Sequence, residues 1–103
     1  MNIFIQVIQF RLAGHSVADY SAHAEQLAAV FNTMHGLLSK VWLANADTNT
    51  YGGVYTLRDR ASLEQYRASA IYAQLAANPG LADLSDQEFA ILPEPTRITA
   101  GLK

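Results

Sequence analysis

The chain has 103 residues, half of them hydrophobic and only 16% charged, with a formal net charge of −2 at pH 7. An average soluble domain carries about 25% charged residues; this one is short of charge, and it lacks the clustered Lys and Arg that a nucleic-acid partner requires. It contains no cysteine, which excludes disulfides, thiolate metal ligands and a thiol nucleophile. The length predicts one domain over 1–103. No apolar run reaches the ~20 residues of a membrane span. The opening MNIFIQVIQF has no basic n-region or small-residue cleavage site, so it does not read as a signal peptide, and the expected location is the cytoplasm.

Asn2 to Leu12 is β-branched and aromatic without a breaker and predicts a strand. Gly14 ends it, and Ser16 reads as the N-cap of a helix with Asp19 in its first turn. Val17, Tyr20, Ala24, Leu27, Ala28 and Phe31 form one helical stripe. Leu37 to Ala44 and Tyr51 to Arg58 predict an antiparallel hairpin around the polar loop NADTNT. Asp59 is placed to cap a second helix carrying Leu63, Tyr66, Ala70 and Leu75, which NPG at 78–80 stops. Glu88 to Leu92 predicts a short fourth strand. After Pro93 and Pro95 the TRIT segment is expected to form a tail, an added edge strand or an exchanged arm. The order βαββαβ predicts an α+β, ferredoxin-like fold with an antiparallel sheet and both helices on one face.

Side chains alternate across a strand. Ile3, Ile5 and Val7 oppose Phe4, Ile8 and Phe10; Leu37, Val41 and Leu43 oppose Leu38, Trp42 and Ala44; Phe89 and Ile91 oppose Ala90 and Leu92. Both faces of the sheet are therefore apolar, and two helices cover only one. Leaving the other wet costs roughly 25 cal/mol per Å². A homodimer through sheet-on-sheet packing is expected; the alternative is a C-terminal tail folded over the face.

The hairpin KVWLANADTNTYGGVYTL holds the only tryptophan of the chain, a lysine two residues before it, and a Gly-Gly pair. Glycine in a strand marks a bulge or a close approach to the backbone, and beside an indole it leaves a hollow. The stretch GLLSKVWLANADTNTYGGVYTLRDRASLEQY resembles the YdhR-like mono-oxygenases of the dimeric α+β barrel superfamily, which also holds the antibiotic-biosynthesis mono-oxygenases. The matching elements are Gly36, Lys40-Val41-Trp42, Gly52-Gly53-Val54-Tyr55 and the helix containing Tyr66, and the likeness runs to about Pro95. The resemblance implies a dimer whose sheets close into a barrel, with a cavity between sheet and helices. It implies oxygenation of a small, planar, electron-rich aromatic molecule, anthrone- or hydroquinone-like, with no cofactor. Three alternatives stay open: a non-catalytic binding or stress-related module, a haem-degrading protein, and an isomerase of the same fold.

Such chemistry needs an apolar pocket, a base and hydrogen-bond donors for an anion. Trp42 and Gly53 are candidates for the pocket wall, or Trp42 fills the core. Tyr55 and Tyr66 are candidate donors, or packed tyrosines with satisfied hydroxyls. Lys40 is a candidate to stabilise an oxyanion, or a base if desolvated, or a lysine that snorkels or pairs with a carboxylate such as Glu88. His23, beside the apolar stripe, and His35, at the helix–strand junction, are candidate bases; either is also a candidate haem ligand. Tyr51 is expected only to cover the loop, and Arg58 and Arg60 to form solvated ion pairs or to gate an acidic substrate. The three histidines lack the HxxxH or HxH spacing of a metal site, and no metal is expected. GxGxxG, P-loop and GxSxG motifs are absent.

Overall fold

The strand on which the structure is built is β1, Phe4–Leu12. The computed structural model describes residues 2–101. In chain order β1 is followed by α1 (Val17–Phe31), β2 (Leu37–Asn45), β3 (Thr50–Leu57), α2 (Arg60–Arg67), α3 (Ala70–Ala77), β4 (Leu81–Ala90) and α4 (Pro93–Ile98). The sheet runs β2-β3-β1-β4, with each neighbouring pair antiparallel. This is the α+β, ferredoxin-like arrangement expected from the element order.

Local chemistry starts the helices. Ser16 accepts the Asp19 amide at 3.1 Å and caps α1. Asp59 accepts both the amide and the hydroxyl of Ser62 and caps α2. Ile8, Phe10, Tyr51, Tyr55 and Leu57 of the sheet, Phe31 of α1, and Leu63 and Tyr66 of α2 form the buried core. Each such side chain contributes roughly 1.5–3 kcal/mol on burial. Tyr51, expected only to cover the loop, is among the most deeply buried side chains; Tyr20 packs edge-on against it.

The opposite face of the sheet is apolar and partly exposed. Val41, Val54 and Val7 lie side by side across β2, β3 and β1, and Ile5 pairs with Phe89 of β4. Val41 is 57% exposed and Phe89 50%.

Two glycines are fixed by close approach. Gly36 has a φ of +81°, and a Cβ there would meet Ser62 Oγ at 2.0 Å. Gly52 has a φ of +154°, and a Cβ would lie 1.8 Å from the Ile8 carbonyl oxygen. The second contact draws β3 onto β1 in the middle of the hairpin singled out in the sequence.

Four expectations are corrected. The second helix is two helices: Ser69 accepts the Tyr72 amide and caps α3 afresh, so the apolar stripe turns a corner there. A serine inside an apolar period offers the backbone a competing hydrogen bond, and that local competition wins. The fourth strand starts at Leu81, not Glu88, because its covered face carries Leu84 and then the polar Asp86 and Glu88, whose partners lie elsewhere in the chain. One extra residue bulges from β4 opposite Gln9–Arg11, where Asp83 takes a φ of +54°. The segment after Leu92 is a short helix, not a strand or arm, with Pro93 in its first turn where a missing N–H costs nothing. In β2 a register shift between Leu37 and Ser39 breaks simple alternation: Leu37 joins the core and Leu38 is exposed.

Candidate active site

A cavity of about 500 Å³ lies between the helices and the covered face of the sheet. That is within the ~300–1,000 Å³ of small-molecule sites. Its floor is Phe10, Lys40, Trp42, Gly52 and Tyr55 from the strands. One wall is α1, from Asp19 through His23 and Leu27 to Phe31; the other is Tyr66 of α2 with Ile71, Gln74 and Leu75 of α3. The helices stand off the sheet: α1 fully buries only Phe31, and α3 buries no residue fully. Their apolar faces thus pack only in part on the strands, through Tyr20 and Phe31, and otherwise line the cavity.

Lys40 is the chemical centre of this floor. Strand parity puts Lys40 and Trp42 on the covered face, opposite Tyr55 and Gly53. Gly53 makes room for the lysine, since a Cβ there would sit 2.9 Å from Lys40 Cε. The stem lies across the glycine and delivers Nζ into a box of ring faces. Nζ is 3.4 Å from the Trp42 ring centre, 3.5 Å from that of Phe31 and 4.5 Å from that of Tyr55. It takes part in no ion pair or hydrogen bond among the described residues. Burial without a counter-ion disfavours the ammonium and pulls the Lys40 pKa down to about 7. The ring faces act in the opposite sense, because their quadrupoles favour a cation. The result is an amine poised between its two protonation states near neutrality.

The Tyr55 and Tyr66 hydroxyls hydrogen-bond at 3.0 Å, with their rings 5.0 Å apart. Burial pushes both phenols up, Tyr66 to about 12, and Tyr66 raises Tyr55 further. Both stay protonated at neutral pH; Tyr66 donates to Tyr55, which leaves the Tyr55 hydroxyl hydrogen free to donate. Burial likewise raises Tyr20 on the opposite wall. Behind the pair, Asp86 of β4 holds α2 and α3 to the sheet. It accepts Arg67 Nε at 3.1 Å and Nη2 at 2.8 Å, Gln6 Nε2 at 3.0 Å, and the Tyr72 hydroxyl. Burial alone would raise the Asp86 carboxyl; the hydrogen bonds from Arg67, Tyr72 and Gln6 outweigh it and leave it below its ordinary range. Arg67 also binds Glu88 at 2.7 Å, and Glu88 binds Arg60 at 2.7 Å.

The family model described as "Putative mono-oxygenase ydhR" matches residues 5–102. The chain belongs to the ydhR mono-oxygenase family. Its fold is similar to that of NE2512, a protein of unknown function from Nitrosomonas europaea, at 17% identity and a TM-score of 0.75, over 89% of this chain and 91% of that one. It is also similar to SnoaB, a cofactor-independent oxygenase from Streptomyces nogalater, at 19% identity and a TM-score of 0.71, over 91% of this chain and 100% of that one. Rv0793 from Mycobacterium tuberculosis aligns at 19% identity and a TM-score of 0.72, over 89% and 97% of the two chains. At these identities the likeness is one of fold. No curated protein sequence matches the chain.

In this ydhR-family chain, five of the seven residues picked out in the sequence line one cavity: His23, Lys40, Trp42, Tyr55 and Tyr66. Gly53 lies beneath Lys40, and its neighbour Gly52 is the glycine that lines the cavity floor. His35 is not among the lining residues; its Nε2 lies 2.9 Å from the Arg58 guanidinium on the exposed side of the helix–strand junction. Lys40 does not pair with Glu88, which is taken by Arg60 and Arg67. Phe31 completes the lysine box, a role that its place in the helical stripe did not reveal. The Gln6–Asp86–Arg67 network also escaped the sequence reading, although Gln6, a polar residue inside an apolar strand, was its visible signal. Among the described residues no three His, Asp or Glu side chains converge as a metal site, and no helix is long and apolar enough to cross a membrane.

Proposed function

We propose that the chain is a mono-oxygenase working without metal or flavin on a small planar phenol or enol of the anthrone or hydroquinone type. The observation that carries this reading is Lys40: a desolvated amine facing an aromatic-walled cavity, in a chain of a mono-oxygenase family. Neutral Lys40 takes the acidic proton of the substrate. The anion, held beside the new ammonium and the Tyr55 and Tyr66 hydroxyls, gives one electron to O₂. Recombination with superoxide forms the C–O bond of a peroxide, which loses water to leave a carbonyl. One oxygen atom enters the product and the other leaves as water with two substrate hydrogens. Trp42 stacks on the ring system, and His23 stands along the α1 wall as a second proton acceptor. The span of that wall from Asp19 to Phe31 is about 18 Å at 1.5 Å per residue, ample for a flat molecule lying along it. His35 is left out of this proposal by its position.

We also infer that the working unit is a homodimer packed sheet on sheet. Val7, Val41, Val54, Ile5 and Phe89 form an apolar face on which Val41 and Phe89 stay half or more exposed and Ile5, Val7 and Val54 are only half-buried. A like face on a second copy covers it without a new sequence, and two sheets packed this way close into the dimeric barrel.

Oxygen uptake by metal-stripped protein, with ¹⁸O₂ and mass analysis over anthrones and hydroquinones, tests the reaction. One labelled atom per product is expected. Binding of these molecules without uptake would overturn the oxygenase reading and leave a non-catalytic binding module.

A further inference from the structure

We propose that Lys40 is also a carbonyl-capture site, forming an imine with planar conjugated aldehydes or ketones that enter the cavity. Nζ faces the rings of Trp42, Phe31 and Tyr55 and is tied to no carboxylate among the described residues. A nitrogen held only by ring faces keeps its lone pair free for a carbonyl carbon. The same desolvation that brings its pKa to about 7 leaves a large fraction as free amine at neutral pH. The walls suit a flat partner, with the Trp42 indole on the floor and Tyr66 opposite α1. The other titratable groups lining the cavity are His15, Asp19, Tyr20, His23, Tyr55 and Tyr66.

The step balances without an oxidant. The nitrogen lone pair attacks the carbonyl carbon, the C–N bond forms as the C=O π bond breaks, and one N–H proton passes to the carbonyl oxygen to give the neutral carbinolamine. The carbinolamine then loses its hydroxyl as water, with a proton from the Tyr55–Tyr66 pair, and the nitrogen returns a proton to that pair. One water is released for each imine. Oxygen is not involved, so imine formation stands or falls separately from the oxygenase reading.

Lys40 and Lys103 are the only lysines in the sequence, so the site is read directly by reductive trapping. The folded protein is incubated without oxygen with 2-naphthaldehyde and cyanoborohydride, then weighed intact and mapped by peptide. One naphthylmethyl group on Lys40 is expected, at a rate about tenfold or more above that of the same lysine in the guanidinium-unfolded chain. Trp42→Leu keeps the amine and is expected to slow capture of the naphthaldehyde. Labelling of Lys40 no faster than in the unfolded chain, or labelling first at Lys103 or the N-terminus, would overturn the proposal. The wild-type comparison alone decides this if the variant fails to fold.

Discussion

The side-chain nitrogen of Lys40 lies 3.4 Å from the centre of the Trp42 ring, two residues along the same strand. With Phe31 from α1 and Tyr55 from β3, the pair turns an ordinary lysine into a desolvated amine at the bottom of a cavity.

The first prediction concerns pH and activity. Lys40 must be neutral to accept a proton, so oxygen uptake should rise as pH passes through about 7, the value to which burial lowers its pKa. Lys40→Met removes the base and should reduce kcat by about 100-fold or more. Lys40→Arg keeps the charge but cannot lose it and should fare no better. A pH–rate profile unchanged in Lys40→Met would place the base elsewhere, with His23 the next candidate.

Stability should follow the same group with its own sign. The folded pKa of Lys40 is depressed from 10.5 to about 7. Between those values the unfolded chain binds a proton that the folded chain has lost, so stability rises with pH across that window. Below about pH 7 both states bind the proton, and the full cost of the buried charge remains. Each unit is about 1.4 kcal/mol, and the ring faces return part of it. A net effect on the order of a few kcal/mol is expected, absent in Lys40→Met, which should be the more stable protein near pH 6. Denaturant titrations of both proteins at several pH values check this.

The glycines separate fold from site. Gly52→Ala drives a methyl into the Ile8 carbonyl and should cost about 3 kcal/mol or more. Gly53→Ala meets the flexible Lys40 stem at 2.9 Å, with Tyr55 Cε1 and the Val41 carbonyl oxygen each at 3.3 Å, so it should cost on the order of 1–2 kcal/mol while lifting Nζ from its box. Its signature is a Lys40 pKa moved back towards 10.5, read by NMR of the side chain.

Asp86→Asn should cost about 2 kcal/mol, because Arg67 loses its bidentate partner in a half-buried setting. The wild-type carboxyl has a depressed pKa, so its contribution is present above the ordinary carboxylate range and is lost as pH falls through the folded value. Acid unfolding of the variant should be correspondingly shallower. Because Asp86 anchors α2 and α3, substrate affinity should drop along with stability.

The dimer predicts a mass of two chains in solution at micromolar concentration. Val41→Arg, on the partly exposed apolar face and away from the cavity, should yield folded monomers. A monomeric wild type by light scattering would remove the inference drawn from that face.

Much of the fold was legible because it rests on local signals. Ser16 and Asp59 announce their helices through caps, the alternating apolar residues of β1 to β3 announce strands, and Gly52-Gly53 announces a close approach. Ser69 was invisible as a helix break because capping and helix continuation differ by one local hydrogen bond. The start of β4 was hidden because Asp86 and Glu88 are tolerated on a covered face only through Arg60, Arg67, Gln6 and Tyr72, which are remote in sequence.

The sequence by itself determined the order of the four strands and the first helix, the antiparallel hairpin and the set of aromatic residues available for a site, because each follows from spacing and side-chain type. Only the tertiary structure decided that Phe31, Trp42 and Tyr55 converge on Lys40 and that His35 faces away. Desolvation and ring contact belong to three-dimensional neighbours, and no periodicity along the chain encodes them.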